Sequence, residues 1–290
     1  MPRVTSWTPN PAVGPDRMRP RRLLITMLGD YWRGRKDPIP SGALVALLAE
    51  FDVSAQSSRS TLSRLTTARL LRRVRSGRRT FYQLTERTQR TFDDGAARIF
   101  GFGQREPEWD GLWSMVAFSV AERHRPLRYV LRTQLRWLGY APLYDGLWIS
   151  PHSRIEATRE VLRELGLERT TLFRAKVVEG QDVTNLLHAW DLDRLRARYE
   201  EFVGRFRSVA EKTASGSVGP GEALEMRTRI MDAWRSFPRE DPDLPAEFLP
   251  AGWPRAEARR LFTTVYEGLA PIAEARFRQL VEAHREPGDP

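Results

Sequence analysis

Hydrophobic residues recur with the spacing of an α-helix in three segments near the start of the chain. The first segment covers 19–30, and the second begins after Ser41, which is the residue expected to cap it. In the third segment Leu62 and Leu65 define an inward stripe, and small polar residues stand at the expected helix start. The pattern therefore predicts three helices, and the side of the third helix that points away from its stripe is polar and basic.

A β-hairpin is predicted directly after the third helix. The turn dipeptide Ser76-Gly77 separates the strand RRVRS from a return strand that carries the β-forming residues Phe81 and Tyr82. Helices followed by a hairpin in this order are typical of a winged helix-turn-helix, in which one helix enters the major groove of DNA. An amphipathic linker helix is predicted to follow the hairpin, from Phe92 to Ile99.

Strands and helices alternate in the middle of the chain. The predicted elements are a buried strand over 113–120, a helix over 125–138, two short strands around the turn dipeptide Asp145-Gly146, a helix that Ser153 caps, and a strand over 171–178. The order βαββαβ is typical of a ferredoxin-like domain.

Helical spacing dominates the last third of the chain. One long helix is predicted over 183–209, a flexible joint over 213–221, and further helices over 222–236 and 255–283. The proline-rich segment between the last two helices is predicted to be an ordered loop, because both of its flanks are helical.

The predicted fold class is a multidomain α+β protein. Its 290 residues, 41% of them hydrophobic, suffice for two or three small cores. The predicted parts are a disordered arm over 1–18, a winged helix-turn-helix DNA-binding domain over 19–92, a linker over 93–108, a ferredoxin-like domain over 109–180, and a C-terminal all-α domain over 183–285.

The positive charge of the chain is concentrated at its N-terminal end. Residues 1–92 hold 18 basic and 6 acidic residues, a net charge of +12, whereas the other 198 residues have a net charge of −2. Of the 47 basic residues 44 are arginine, which a GC-rich genome would also produce, but such a bias would spread arginine evenly. The asymmetry therefore favours a nucleic acid as the partner of the N-terminal domain.

Two groups of side chains are candidates for contact with double-stranded DNA. An arginine fork can hydrogen-bond guanine at two points, and hydroxyl and amide groups can reach base edges or phosphates. The candidates are Gln56, Ser57, Arg59, Ser60, Ser63, Arg64 and Thr67 on the third helix, and Arg75, Arg78 and Arg79 on the hairpin. Plain solubility is the alternative explanation for the hairpin arginines.

The composition excludes several classes of protein. Cysteine is absent, which rules out disulfides and thiolate chemistry and is compatible with a reducing cytoplasm. No apolar run approaches the ~20 residues of a membrane helix, and the N-terminal segment lacks the apolar centre of a signal peptide. We therefore expect a cytoplasmic protein with no membrane partner.

Four stretches carry long or irregular motifs: SSRSTLSRLTTARLL, SGRRTFYQLT, LRYVLRTQLRWLGYAPLYDGLWISP and WRSFPREDPDLPAEFLPAGWP. Together they resemble the PaaX family, repressors of phenylacetic acid catabolism in bacteria, over nearly the whole chain. The family often has an apolar residue where this chain has Ser58, glycine where it has Ala68 or Arg69, and leucine where it has Phe248.

The resemblance implies a dimeric transcription regulator that binds a palindromic operator. It is expected to repress an operon for the degradation of aromatic acids or acyl-CoA compounds. Family members are released from DNA by phenylacetyl-CoA, so an acyl-CoA is the expected effector, with other acyl-CoAs and small aromatic acids left open. No cofactor is expected.

Five side chains in the middle of the chain are candidates for effector binding. Arginine suits the phosphates of CoA, and an aromatic ring suits an aromatic acyl group. The candidates are Arg125, Arg128, Arg132 and Arg136 on the polar side of one predicted helix, together with Trp148. A solvated or DNA-facing helix side is the alternative for the arginines, and core packing is the alternative for the tryptophan.

Two other functions remain open. A ferredoxin-like domain also occurs in CRISPR-associated adaptation nucleases, which hold a metal near the end of the first strand, where this chain offers only Glu122. The four histidines show no metal-ligand spacing, so no catalytic residue and no metal ligand are predicted. An architectural DNA-binding protein without an effector would bind all DNA sequences with uniform affinity.

Overall fold

The computed structural model describes residues 18–105, 108–167, 169–178 and 183–290. The chain forms two compact units: one contains the described residues up to Arg90 together with Phe277–Pro290, and the other is Thr91–Arg276. The predicted disordered arm lies, except for Met18, outside the described residues.

Three helices and a small antiparallel sheet form the N-terminal part of the first unit. The elements are α1 (Pro20–Tyr31), β1 (Ile39–Pro40), α2 (Ser41–Ala49), α3 (Ala55–Thr67), β2 (Leu71–Ser76) and β3 (Arg79–Leu84). Each of the three helices packs on the other two, and Leu24, Leu44 and Leu62 are completely buried. The sheet has the order β1-β3-β2, and β2 and β3 form the predicted hairpin, in which Val74 lies opposite Phe81.

Two helix starts among the first three helices differ from the predicted ones. Ser41 is the first residue of α2 and not its cap, because Pro40 occupies the cap position. Helix α3 begins earlier than predicted, since Ser54 is its N-cap and accepts a hydrogen bond from the backbone N–H of Ser57 at 3.3 Å. Ser58 therefore lies inside the helix, fully buried, where its hydroxyl donates to the Ser54 carbonyl at 3.0 Å.

The helix that follows the hairpin is longer than predicted. It is α4 (Glu86–Gly101), which begins at Glu86 and not at Phe92. The cause is Thr85, whose hydroxyl accepts a hydrogen bond from the backbone N–H of Thr88 at 3.3 Å and so caps the helix.

A four-stranded antiparallel sheet organises the first half of the second unit. The elements are β4 (Trp113–Phe118), α5 (Arg125–Trp137), β5 (Ala141–Tyr144), β6 (Leu147–Ser150), α6 (Ile155–Glu164) and β7 (Thr170–Ala175), in the sheet order β5-β6-β4-β7. The prediction that Ser153 caps α6 is wrong, because Arg154 occupies the cap position. On one face of the sheet, Val116 packs with Leu131 and Leu135 of α5 and with Leu162 of α6. Residues Trp113 and Ile149 pack with Leu244 and Phe248 in a second cluster.

Helices fill the rest of the second unit. They are α7 (Thr184–Leu187), α8 (Leu192–Ala214), α9 (Pro220–Trp234), α10 (Phe237–Glu240), α11 (Arg255–Gly268) and α12 (Ala270–Glu282), the last of which ends in the first unit. The prediction of one helix over 183–209 is wrong, because Asp191 ends that run and caps α8 by accepting from the backbone N–H of Arg194 at 3.1 Å. The helix predicted over 255–283 likewise consists of two, α11 and α12.

The proline-rich loop before α11 is ordered and contains a buried ionic cluster. The Tyr199 hydroxyl donates to Asp241 Oδ2 at 2.6 Å, and Arg255 Nη1 lies 2.7 Å from Asp243 Oδ1 and 3.7 Å from Asp241 Oδ1. Burial raises the pKa of Asp241, and the Arg255 guanidinium partly offsets that rise in pKa.

Within the part of the chain that the structure describes, no helix is both long and apolar enough to cross a membrane.

Candidate nucleic-acid interface

The polar residues predicted on the third helix lie on the outer side of α3. Thr61, Leu62 and Leu65 of the same helix are buried in the core. The exposed residues are Gln56, Arg59, Ser60, Ser63, Arg64 and Thr67, and Ser57 is half-buried. We call these seven residues the polar face of α3, and they present hydroxyl, amide and guanidinium groups along one side of the helix.

The guanidinium of Arg64 lies back along its own helix. Its Nε donates to the Ser60 carbonyl at 3.4 Å, and its Nη2 lies 3.5 Å from the Thr61 hydroxyl. Both distances are at the long end of the hydrogen-bond range, so Arg64 can exchange these contacts for a stronger acceptor at little cost.

The chain leaves α3 through a left-handed residue. Arg69 has a φ of 56°, and its backbone N–H donates to the Thr66 carbonyl at 2.9 Å. The Thr85 hydroxyl donates to the Arg69 carbonyl at 3.0 Å and holds this conformation. A residue with a side chain is strained at this φ, which gives a physical reason for glycine at this position in the PaaX resemblance.

The hairpin formed by β2 and β3 carries further exposed cations. Arg75 is exposed on β2, and Arg78 is exposed in the turn beside Gly77, whose φ of 55° suits glycine. Arg73 is also exposed, while Arg72 hydrogen-bonds to the side chain of Gln83 across the two strands.

Arg79, the third predicted hairpin contact, is held by the last residues of the chain. Its Nη1 donates to both carboxylate oxygens of Asp289, each at 2.7 Å, and its Nη2 donates to the carbonyl of His284. Glu286 Oε2 lies 3.3 Å from the same Nη1, and the Arg79 side chain is only 29% exposed. The sequence analysis did not anticipate this contact; the only local signal was a pair of acidic residues flanking Pro-Gly.

Three of the five effector candidates line one pocket of about 320 Å³. Arg132 Nη2 lies 3.3 Å from Asp145 Oδ1, and the Arg136 guanidinium carbon lies 5.3 Å from the centroid of the Trp148 ring. Trp148 is only 1% exposed, because it packs in the core with Val116, Leu131 and Leu135, as the alternative of core packing predicts. The full lining is Arg132, Arg136, Pro142, Leu143, Tyr144, Asp145 and Trp148. The β5–β6 hairpin thus adds residues to the pocket that sequence patterns did not single out.

The other two candidates, Arg125 and Arg128, do not line this pocket. Arg128 Nη2 donates to the Val120 carbonyl at 2.7 Å, and Arg125 is the first residue of α5. The two arginines near the start of the helix therefore lie apart from the pocket that Arg132 and Arg136 line.

Among the described residues, no three His, Asp or Glu side chains are grouped so that they could hold a metal ion. The side chain of Glu122 lies outside the described part of the chain.

Protein-family models match three consecutive segments of the chain. Residues 19–88 match the PaaX-like protein model, residues 106–187 match the PaaX protein central Cas2-like domain, and residues 190–279 match the PaaX-like protein C-terminal domain. The chain belongs to the PaaX family.

A curated relative and a solved structure extend this result. The transcriptional repressor PaaX of Escherichia coli strain K12 is 28% identical over 260 residues, which cover 87% of this chain and 81% of the relative. The uncharacterized protein Rv0674 of Mycobacterium tuberculosis is 21% identical, with a TM-score of 0.55 over 88% of this chain and 96% of that one. The second similarity shows a shared fold alone.

The PaaX models correspond to groups of elements in the structure. The first PaaX segment contains α1 to β3 and therefore the polar face of α3 and the basic hairpin. The second contains the pocket, and the third ends at 279, before the residues that hold Arg79. The contact between Arg79 and Asp289 thus lies beyond the matched part of the PaaX C-terminal domain.

Proposed function

We propose that this member of the PaaX family is a DNA-binding transcriptional repressor whose N-terminal winged helix-turn-helix reads a palindromic operator. The observation that carries the proposal is the polar face of α3 beside a hairpin with exposed arginines, in the unit that contains the positive excess of the chain. The repressor relative from Escherichia coli supports the same function.

The winged-helix assignment is supported by the arrangement of the first unit. Its three helices pack on one another, and its hairpin of β2 and β3 pairs with β1 to form a three-stranded sheet of order β1-β3-β2. In such a domain α3 enters the major groove, where Arg59 and Arg64 would read guanine, while Arg75 and Arg78 on the hairpin would bind phosphate or reach the minor groove. A homodimer would place two copies of α3 on the two halves of the operator.

A ferredoxin-like assignment for the middle domain is supported by its element order and by the sheet order β5-β6-β4-β7. We propose that its pocket binds an acyl-CoA effector. Arg132 and Arg136 offer guanidinium groups to phosphate, and Tyr144, which is 69% exposed, offers aromatic surface to an acyl group, whereas Trp148 is buried beneath the pocket. Effector binding would release the operator if the bound form has a lower affinity for DNA.

The test is fluorescence anisotropy of the purified chain on the DNA upstream of its own gene, with a scrambled duplex as control and with phenylacetyl-CoA titrated into the complex. Salt is held fixed, because contacts with phosphate make the affinity depend on salt. Replacing Arg59 by alanine should lower the affinity for the operator by about 1–3 kcal/mol, on the order of 10- to 100-fold. The matched control is Arg163→Ala, which removes an exposed arginine on α6 that pairs with Glu160.

Three outcomes decide the proposal. Tight binding to the operator that Arg59→Ala weakens and Arg163→Ala leaves unchanged would support it, and release by phenylacetyl-CoA would support the effector class. Equal affinity for the scrambled duplex would contradict a specific repressor and favour an architectural DNA-binding protein. Equal losses of operator affinity in Arg59→Ala and Arg163→Ala would show that Arg59 of α3 makes no specific contact with DNA.

A further inference from the structure

The last described residues of the chain fold into a small hook against the hairpin. The backbone N–H of Glu286 donates to Asp289 Oδ2 at 2.9 Å, and the backbone N–H of Asp289 donates to the Glu286 carbonyl at 3.1 Å. These two hydrogen bonds close a turn that fixes the position of the Asp289 carboxylate. We call residues 284–289 the C-terminal hook.

The C-terminal hook is anchored beside the hairpin by Arg285. Its Nη2 donates to Asp37 Oδ2 at 2.8 Å and to the Pro38 carbonyl at 3.1 Å, in the loop that leads into β1. Since β1 pairs with β3, this anchor holds the hook next to the strand that begins with Arg79.

The Asp289 carboxylate occupies the part of Arg79 that a phosphate would use. Two Nη1 contacts of 2.7 Å and a further bond from Nη2 to the His284 carbonyl engage the outer edge of the guanidinium. Charge-assisted bonds of this kind are the ones by which arginine recognises phosphate. The Asp289 side chain is only 9% exposed, so the pair is shielded from competing water more than the exposed ion pairs of the chain are.

We propose that the C-terminal hook is a built-in brake on DNA binding: Asp289 competes with DNA phosphate for Arg79. In the strand register Arg79 lies opposite Ser76, next to the turn that carries the exposed Arg78. Release of Arg79 therefore adds one cation to the phosphate-facing end of the hairpin. This inference rests on the proposed DNA binding by the first unit.

The experiment measures the affinity of the full chain for a scrambled duplex at several salt concentrations. Phosphate contacts alone set this affinity, so no knowledge of the operator is needed. Asp289→Asn keeps the shape of the side chain and removes its charge. Glu282→Gln is the matched control, because it removes one exposed negative charge near the end of α12.

Asp289→Asn should bind the scrambled duplex on the order of 3- to 10-fold more tightly than the unaltered chain, with a salt dependence steeper by about one phosphate contact. Glu282→Gln should give less than a third of that gain. In an Arg79→Ala background, Asp289→Asn should give no larger gain than Glu282→Gln gives, because the released cation is then missing. Thermal unfolding of each variant checks that the first unit stays folded, and a chain shortened after Ala283 removes the entire hook as a second route to the same result.

Four results would contradict the proposed competition between Asp289 and DNA phosphate for Arg79. The first is DNA binding by Asp289→Asn that is no tighter than that of the unaltered chain. The second is a gain that keeps its full size in the Arg79→Ala background. The third is a gain equal to that of Glu282→Gln, and the fourth is no gain on removal of the hook. If the unaltered chain and every variant bind neither duplex, it is the proposed DNA binding that fails.

Discussion

Replacing Arg255 by leucine should strongly destabilise the second unit. Leucine keeps aliphatic volume in the site but leaves the carboxylates of Asp241 and Asp243 without their shared cation. The Asp241 side chain is 1% exposed and that of Arg255 is 8% exposed, so the charge left behind is buried. Removing one partner of a buried ion pair costs about 3–5 kcal/mol, and the partial exposure of Asp243, 35%, places the expected loss near the lower end.

The size of the loss should depend on pH. Burial already raises the pKa of Asp241 above the value of the unfolded chain, and Arg255 lowers it again in part. Without Arg255 the folded pKa rises further, so the folded variant binds a proton that the unfolded chain does not. Stability of the variant therefore falls as the pH rises through this interval, and the deficit should be larger near pH 8 than near pH 5.

Urea unfolding followed by tryptophan fluorescence measures this loss, because most of the nine tryptophans lie in the second unit. The matched control is Arg207→Leu, which breaks an ion pair with Glu257 at 3.1 Å between side chains that are 65% and 50% exposed. That pair should contribute only ~0–1 kcal/mol. A loss for Arg255→Leu that is no larger than for Arg207→Leu, or that does not change with pH, would refute the reasoning.

Two further predictions concern the first unit and the pocket. Arg69→Gly should raise the free energy of unfolding of the first unit by up to about 1 kcal/mol, since glycine adopts the left-handed φ of 56° without strain. The control is Ala68→Gly, which should lower the free energy of unfolding because Ala68 has an ordinary φ of −75°. Equal effects of the two substitutions in urea unfolding would contradict the strain argument. Arg136→Ala should weaken phenylacetyl-CoA binding, measured by calorimetry, on the order of 10-fold if its guanidinium binds phosphate, and unchanged affinity would remove this pocket from effector binding.

Much of the first unit could be predicted because its signals are local. The stripe of Leu62 and Leu65 turns one side of α3 inward, and helical geometry alone then sends Arg59 and Ser63 outward. The hairpin followed for the same reason from its turn dipeptide and β-forming residues. The DNA contacts of these side chains remain a prediction, because the exposure of a side chain does not identify what it binds.

Helix boundaries were predicted less well, because single capping residues decide them. Asp191 divides a run of helical spacing that reads as continuous, and Thr85 starts α4 ahead of its amphipathic part. At such positions a single side-chain hydrogen bond to the backbone outweighs the weak preferences of several neighbouring residues.

The sequence by itself determined which surfaces are polar, which are basic and which segments form helices or strands, though not where each helix begins and ends, since periodicity and charge act between residues close in the chain. Only the tertiary structure decided which of these groups meet. Arg132 and Arg136 form a pocket because the β5–β6 hairpin folds back over α5, whereas Arg125 and Arg128 on the same helix stay outside it. Arg79 looks equivalent to Arg78 in the sequence, yet it pairs with Asp289, 210 residues further along the chain. No local pattern encodes such a pair, because it depends on the path of the whole chain between its two members.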